Sequence, residues 1–223
     1  MKLSKSQFET RLEENQLILS FIGMSNIGKT YWSKKLQDIG FRHINCDDLV
    51  EQKLAPALKK LGYAGIHDVS KWMGQPYDKR YFANQHQYLS CEKEVMEEIF
   101  AEIKNSNKGN IIIDTTGSII HTGQNIIEKL KQYSLVIYLA ASEEMMEAMF
   151  KKYREEPKPL VFGDIYNQAQ NETQLQALSR CYRQLLNLRG VLYTDCADVV
   201  IPQEAIVKDM TASQFFSLIK HAI

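Results

Sequence analysis

The sequence predicts an α/β domain: a five-stranded parallel sheet with helices on both faces. Three observations carry that prediction. Apolar, β-leaning runs recur along the chain and are separated by stretches of helical character, the pattern that crossover connections between parallel strands require. Two of the runs, Asn110-Ile111-Ile112-Ile113-Asp114 and Ser134-Leu135-Val136-Ile137-Tyr138-Leu139, are unbroken rather than alternating, as strands buried on both faces are. The 223 residues, 44% of them apolar, suffice for one large domain with a sizeable core.

Taken in order, residues 1–14 read as an amphipathic helix appended ahead of a domain spanning 15–223. Leu17-Ile18-Leu19-Ser20-Phe21-Ile22 is the first strand, and Tyr31 to Leu36 opens a helix after a glycine-bearing loop. Phe41 to Asn45 is a short second strand that ends at Cys46-Asp47-Asp48, followed by a helix over about 49–61. Gly62, Gly65, Gly74 and Pro76 mark 62–77 as irregular. Residues 78–104 carry no glycine or proline and read as one long helix. After the third and fourth strands, Ser142 caps a helix whose Glu143 and Glu144 suit its positive end. Pro157 and Pro159 break that helix. A helix over 173–188, a last strand at 198–201 and a closing helix at 213–221 complete the pattern.

Composition narrows the partners. Lys+Arg and Asp+Glu both count 27, so the zero net charge gives no electrostatic case for nucleic acid or an anionic membrane. No apolar stretch reaches the ~18 residues of a spanning helix, and the first residues lack the apolar core of a secretory signal. Cys46, Cys91, Cys181 and Cys196 have no paired metal-type spacing and read as reduced thiols of a cytoplasmic protein. The expected state is a monomer or weak dimer.

Chemistry enters at Gly23-Met24-Ser25-Asn26-Ile27-Gly28-Lys29-Thr30, which has the G-x-x-x-x-G-K-[ST] form of a phosphate-binding loop between a strand and a helix. Its glycines let successive N–H groups and the helix N-terminus face one anion. Lys29 would reach the β- and γ-phosphates of ATP, and the Thr30 hydroxyl would hold Mg²⁺. Asp114 ends a buried strand, where an acid either holds Mg²⁺ or caps the following turn. Asp47 and Asp48 end the second strand at the sheet's carboxyl edge. Adjacent side chains point apart, so one is expected to take a substrate hydroxyl proton and the other to cap the next helix.

These residues together resemble the shikimate kinase family within the nucleoside-monophosphate-kinase-like fold. The phosphate loop is followed by Gly40-x-x-x-x-Asn45-Cys46-Asp47 and Glu51. Lys158-Pro159-Leu160 is similar to that family's Arg-Pro-Leu lid motif, and Asn187 to Tyr193 with Ala197-Asp198-Val199 is similar to its Arg-x-x-Leu-Tyr…Ala-Asp segment. The resemblance implies a P-loop kinase fold with a substrate-binding helical region over about 46–108 and a lid over about 155–170. It also implies a phosphotransferase of aromatic amino acid biosynthesis, using ATP, Mg²⁺ and a small-molecule acceptor, shikimate or a related polar metabolite; the alternatives are a kinase of nucleotides or sugar acids on the same fold and a nucleotide-binding regulator without catalysis. By the same resemblance Asp47 is the catalytic base and substrate ligand, Asn45 stands at a Mg²⁺-linked position, and Arg189 grips the acceptor carboxylate. Lys158 stands in for the lid arginine, without its fork.

Two departures fall on the acceptor side. The family's Gly-Gly-Gly loop reads Thr115-Thr116-Gly117 here, so Gly117 remains as a substrate contact while two side chains are expected to crowd it. The Phe-Arg-x-x-Glu motif has Tyr88-Leu89-Ser90-Cys91-Glu92 as its counterpart, with Leu89 in the arginine's place and Arg80 as a candidate replacement.

Overall fold

The structure, a computed structural model, describes residues 3–105 and 109–223. Among these, five strands form one sheet: β1 (Ile18–Ile22), β2 (Arg42–Asn45), β3 (Ile111–Asp114), β4 (Leu135–Ala140) and β5 (Val199–Pro202). Their order is β2-β3-β1-β4-β5 and every neighbouring pair is parallel. β1 and β3 are buried along their whole length, as unbroken apolar runs demand, whereas the edge strand β5 alternates buried Val199 and Ile201 with outward residues. β1 is central, so the loop that follows it opens at the middle of the carboxyl edge. From β1 the chain goes out to β2, returns to β3 beside β1, then crosses to β4 on β1's other side, and α/β ligands bind in the crevice at such a switch. Register fixes the crevice floor: Asp114 lies opposite Phe21 on one neighbour and Asn45 on the other.

Around the sheet lie α1 (Lys5–Glu13), α2 (Lys29–Gln37), α3 (Cys46–Lys59), α4 (Ile66–Met73), α5 (Tyr81–Asn105), α6 (Gln124–Tyr133), α7 (Glu143–Glu155), α8 (Gln174–Cys196) and α9 (Ala212–His221). α4 occupies part of the stretch predicted irregular. Gly65 and Gly74 flank it at positive φ, so these glycines bound a helix instead of abolishing one. α6 goes beyond the sequence reading, with Gly123 at its N-cap. α8 does not stop at Leu188 but runs on to Cys196, which places Arg189 and Gly190 inside a helix. No described helix is long and apolar enough to cross a membrane.

The N-terminal segment is no loose appendage. Ser4 and Gln7 form a reciprocal capping box that starts α1. Phe8 is fully buried, its ring 5.5 Å from that of Phe216 on α9, and Phe216 in turn lies 5.4 Å from Phe41 ahead of β2. Lys220 on α9 closes the contact with an ion pair to Glu9 at 2.6 Å. Phe8→Ala is expected to cost about 3–5 kcal/mol in chemical denaturation, the range for deleting a buried aromatic ring. A loss near zero would return α1 to the status of an appendage.

Candidate active site

The phosphate loop has the backbone its sequence asks for. Gly23 has φ of 141°, and a Cβ there would stand 2.8 Å from the Leu139 carbonyl oxygen, so no side chain fits. Gly28, at φ 106°, is the N-cap of α2 and offers no side chain to its first amides, which leaves them for an anion. Met24 and Ile27 bury their side chains, and the loop turns backbone toward the crevice. Lys29 is itself buried. Its Nζ donates to the carbonyls of Gly23 (2.9 Å) and Met24 (3.1 Å). Burial pulls the Lys29 pKa down, Asp114 and Asp47 pull it back up, and the charges of Arg189 and Lys158 lower it again. Thr30 follows, half-buried in the first turn of α2.

The acids sort themselves by geometry. Asn45 is the N-cap of α3: its side-chain oxygen accepts from the Asp47 and Asp48 amides, and its Nδ2 donates to Asp48 Oδ2 at 2.7 Å. That oxygen is engaged with the start of α3, so Asn45 takes the capping role expected of an aspartate. Asp48 is exposed. Asp47 turns to the crevice, where burial pushes its carboxyl up to about 6, against the pull of Lys29. Asp114 is buried at the end of β3 and takes a hydrogen bond from His43 Nε2 at 3.2 Å. The Thr30 hydroxyl and the Asp114 carboxylate are the hard oxygen donors that Mg²⁺ accepts. Among the described residues no three His, Cys, Asp or Glu side chains gather into a metal cage of their own, so phosphate oxygens would complete such a site.

Beside the loop, Asp47, Lys158 and Arg189 meet in one small polar pocket with Ser25, Tyr88, Gly117, Ser118 and Pro159. Arg189 is 2% exposed. Its Nη2 donates to the Val161 carbonyl at 2.8 Å, and its Nε donates to His121 Nε2 at 3.3 Å. Burial and the Arg189 charge hold His121 down to about 3, so a neutral imidazole accepts that bond. Gly117 is required for packing: a Cβ would come within 2.9 Å of Ser25 Oγ and 3.7 Å of Arg189 Nη1. Tyr193 Oη donates to the Gly117 carbonyl at 2.5 Å and pins it.

The two threonines do not crowd the pocket. Thr115 Oγ1 donates to the Phe21 carbonyl, and Thr116 Oγ1 donates to Glu92. Glu92, fully buried on α5, also accepts from Ser118 Oγ at 2.7 Å. Burial pushes the Glu92 carboxyl up to about 7, while those two hydroxyls pull it down. Glu92 thus backs the pocket wall at Ser118.

Neither Leu89, in the second arginine's place, nor Arg80, its candidate replacement, lines this pocket. Leu89 packs against the core, and Tyr88 is the residue of that turn lining the pocket. Arg80 faces a separate hollow with Lys71, Asp78 and Glu155, donating to the Lys71 carbonyl at 2.8 Å. Among the described residues lining the pocket, Arg189 is therefore the one guanidinium. The expected lid carries Lys158 and Pro159 to the pocket, and its base is held to α5. Tyr81 Oη donates to the Leu160 carbonyl and accepts from the Phe162 amide, while Gln85 accepts from the Gly163 amide. His43, Tyr88, Ser118 and His121 are the site residues that sequence reasoning missed. Tyr88 heads the Tyr88–Glu92 segment without being singled out there, and no motif marks the other three, whose partners come from other elements.

No protein-family model matches the chain, and no curated protein matches it. Solved structures do. The shikimate kinase from Acinetobacter baumannii, in complex with shikimate, is 21% identical over 94% of this chain and 93% of its own, with a TM-score of 0.57. The shikimate kinase from Bacteroides thetaiotaomicron is 14% identical over 91% and 96%, with a TM-score of 0.56. That from Aquifex aeolicus is 13% identical over 92% and 97%, at 0.52. At such identities the likeness speaks for architecture alone, and the architecture of this chain is the P-loop kinase fold seen in shikimate kinases.

Proposed function

We propose that this chain is an ATP-dependent small-molecule kinase of shikimate-kinase type, moving the γ-phosphoryl group of MgATP to a hydroxyl of shikimate or a related polar metabolite. The observation that carries this reading is the meeting of Asp47, Lys158 and Arg189 in one polar pocket beside the buried Lys29. A protein that only binds nucleotide has no use for a base and a guanidinium set across a second pocket.

Phosphoryl transfer asks the protein mainly for positioning and charge neutralisation. The amides at the start of α2 hold phosphate oxygens, and Lys29 exchanges its bonds to the Gly23 and Met24 carbonyls for bonds to phosphate. Thr30 and Asp114 would hold Mg²⁺, which would supply charge neutralisation for the phosphates. Asp47 accepts the proton of the acceptor hydroxyl, and a carboxyl raised to about 6 is matched to that task near neutral pH. Arg189 holds the acceptor's anionic group, and Lys158 brings a point charge from the lid. A single guanidinium at the pocket favours an acceptor other than one clasped between two arginines.

MgADP is expected to raise the melting temperature by mass action on the folded state, and Lys29→Ala to remove most of that rise while the protein stays folded. Equal stabilisation of both proteins would overturn the nucleotide assignment.

Asp47→Asn is expected to lower kcat on the order of 10²-fold or more with ATP affinity nearly unchanged. In the unmodified protein, kcat/KM should fall on the acid side with a midpoint near the raised value of about 6, where protonated Asp47 no longer takes a proton. If Asp48→Asn is the damaging change instead, the base has been misassigned.

With shikimate as acceptor, weak turnover and an elevated KM are expected. One missing charge-assisted pair costs roughly 1.5–3 kcal/mol, about ten- to a hundredfold in affinity. Steady-state kinetics that return a micromolar KM would count against the single-arginine pocket.

A further inference from the structure

Asp114 does not stand alone at the end of β3. His43, on the edge strand β2, lies two positions before Asn45, the residue in register with Asp114, and therefore shares a face of the strand with it. Asn45 is committed to capping α3, so His43 is the side chain on that face that reaches Asp114. The His43 side chain is 7% exposed and the Asp114 side chain 3%. Among the described residues, His43 is the one side chain hydrogen-bonded to this carboxylate. A carboxylate can only accept, so the imidazole donates from Nε2, and Oδ2 is the oxygen engaged. Among the described residues no hydrogen bond engages Oδ1, which leaves it for a cation, and Lys29 feels the Asp114 charge.

We propose that His43 is a positioning residue for Mg²⁺: by fixing Asp114 through Oδ2, it aims Oδ1 at the metal bound with the nucleotide. The proposal rests on the nucleotide reading above. Nothing in the P-loop sequence calls for a histidine at this place. Its physical warrant is that ligating carboxylates bind metal tightly only when a second hydrogen bond fixes their orientation. A side chain that served only to anchor the edge strand would affect nucleotide binding with and without metal alike. A positioning residue affects the metal-dependent part.

The test is calorimetric binding of ADP in excess Mg²⁺ and in EDTA, each variant being described by the ratio of the two affinities. Asp114→Asn sets the floor of that ratio. His43→Leu, which cannot donate, is expected to lower the ratio about tenfold or more toward that floor, with ADP affinity in EDTA within about twofold of the unmodified protein. His43→Gln keeps an N–H donor and is expected to hold the ratio within about threefold. Thermal melting checks that each variant is folded, and His43→Met replaces His43→Leu if the latter is not. A ratio unchanged in His43→Leu but lost in Asp114→Asn overturns the proposal, as does an equal loss in Mg²⁺ and in EDTA. A ratio unchanged in Asp114→Asn overturns it by removing Asp114 from the metal site. Absence of ADP binding to the unmodified protein refutes the nucleotide reading itself, and the proposal falls with it.

Discussion

A buried ammonium group lies at the centre of this crevice. Taking Lys29 out of water is costly unless opposite charge and hydrogen bonds replace its hydration. Asp114 and Asp47 supply the charge, and the carbonyls of Gly23 and Met24 supply the bonds. Those carbonyls are available because Gly23 runs against Leu139 without a Cβ. The parallel sheet delivers the acids: Asp114 at the end of β3, and Asp47 two residues beyond the end of β2, in the first turn of α3. Charge compensation thus ties the loop, two strands and α3 into one unit before any ligand arrives.

Behind the acceptor pocket a second buried charge site has a quieter role. Glu92 gathers the hydroxyls of Thr116 and Ser118, so one side chain that stands in a glycine's place becomes part of the wall, while Thr115 is held by the Phe21 carbonyl. A side chain in the loop after β3 is therefore met by a carboxyl on α5. The substitutions make sense together and would make little sense singly, since an unpartnered Glu92 would be a buried carboxyl without donors.

What the sequence made legible follows the range of the interactions. The phosphate loop and the buried strands are set by local residues, and Gly23 to Thr30 could be read with its chemistry. Asp47 and Arg189 were legible through ordered spacing along the chain, and the structure brings them into one pocket. Signals that depend on tertiary placement were not legible. Gly65 and Gly74 read as breakers because nothing local shows which side of a glycine the helix occupies. Leu89 was assigned to the pocket where Tyr88 stands, because one residue on α5 turns a side chain by about 100°. Arg80 is close in sequence to the acceptor residues yet faces another hollow. Asn45 stood at a metal-linked position by resemblance, but only the turn into α3 reveals that its oxygen caps a helix.

The hydrogen bonds around Arg189 have a kinetic and entropic consequence. Its Nη2 is held by the Val161 carbonyl and its Nε by His121, so this long side chain has surrendered its rotamer freedom during folding. Immobilising such a side chain costs roughly 1.5–2 kcal/mol, and under the function proposed above that cost does not recur when an acceptor arrives. The guanidinium behaves as a rigid post with one edge left toward the pocket, not as an arm that folds onto whatever enters. A rigid post rewards molecules whose anionic group already stands at the right distance from the reacting hydroxyl, and it does not adapt to the rest.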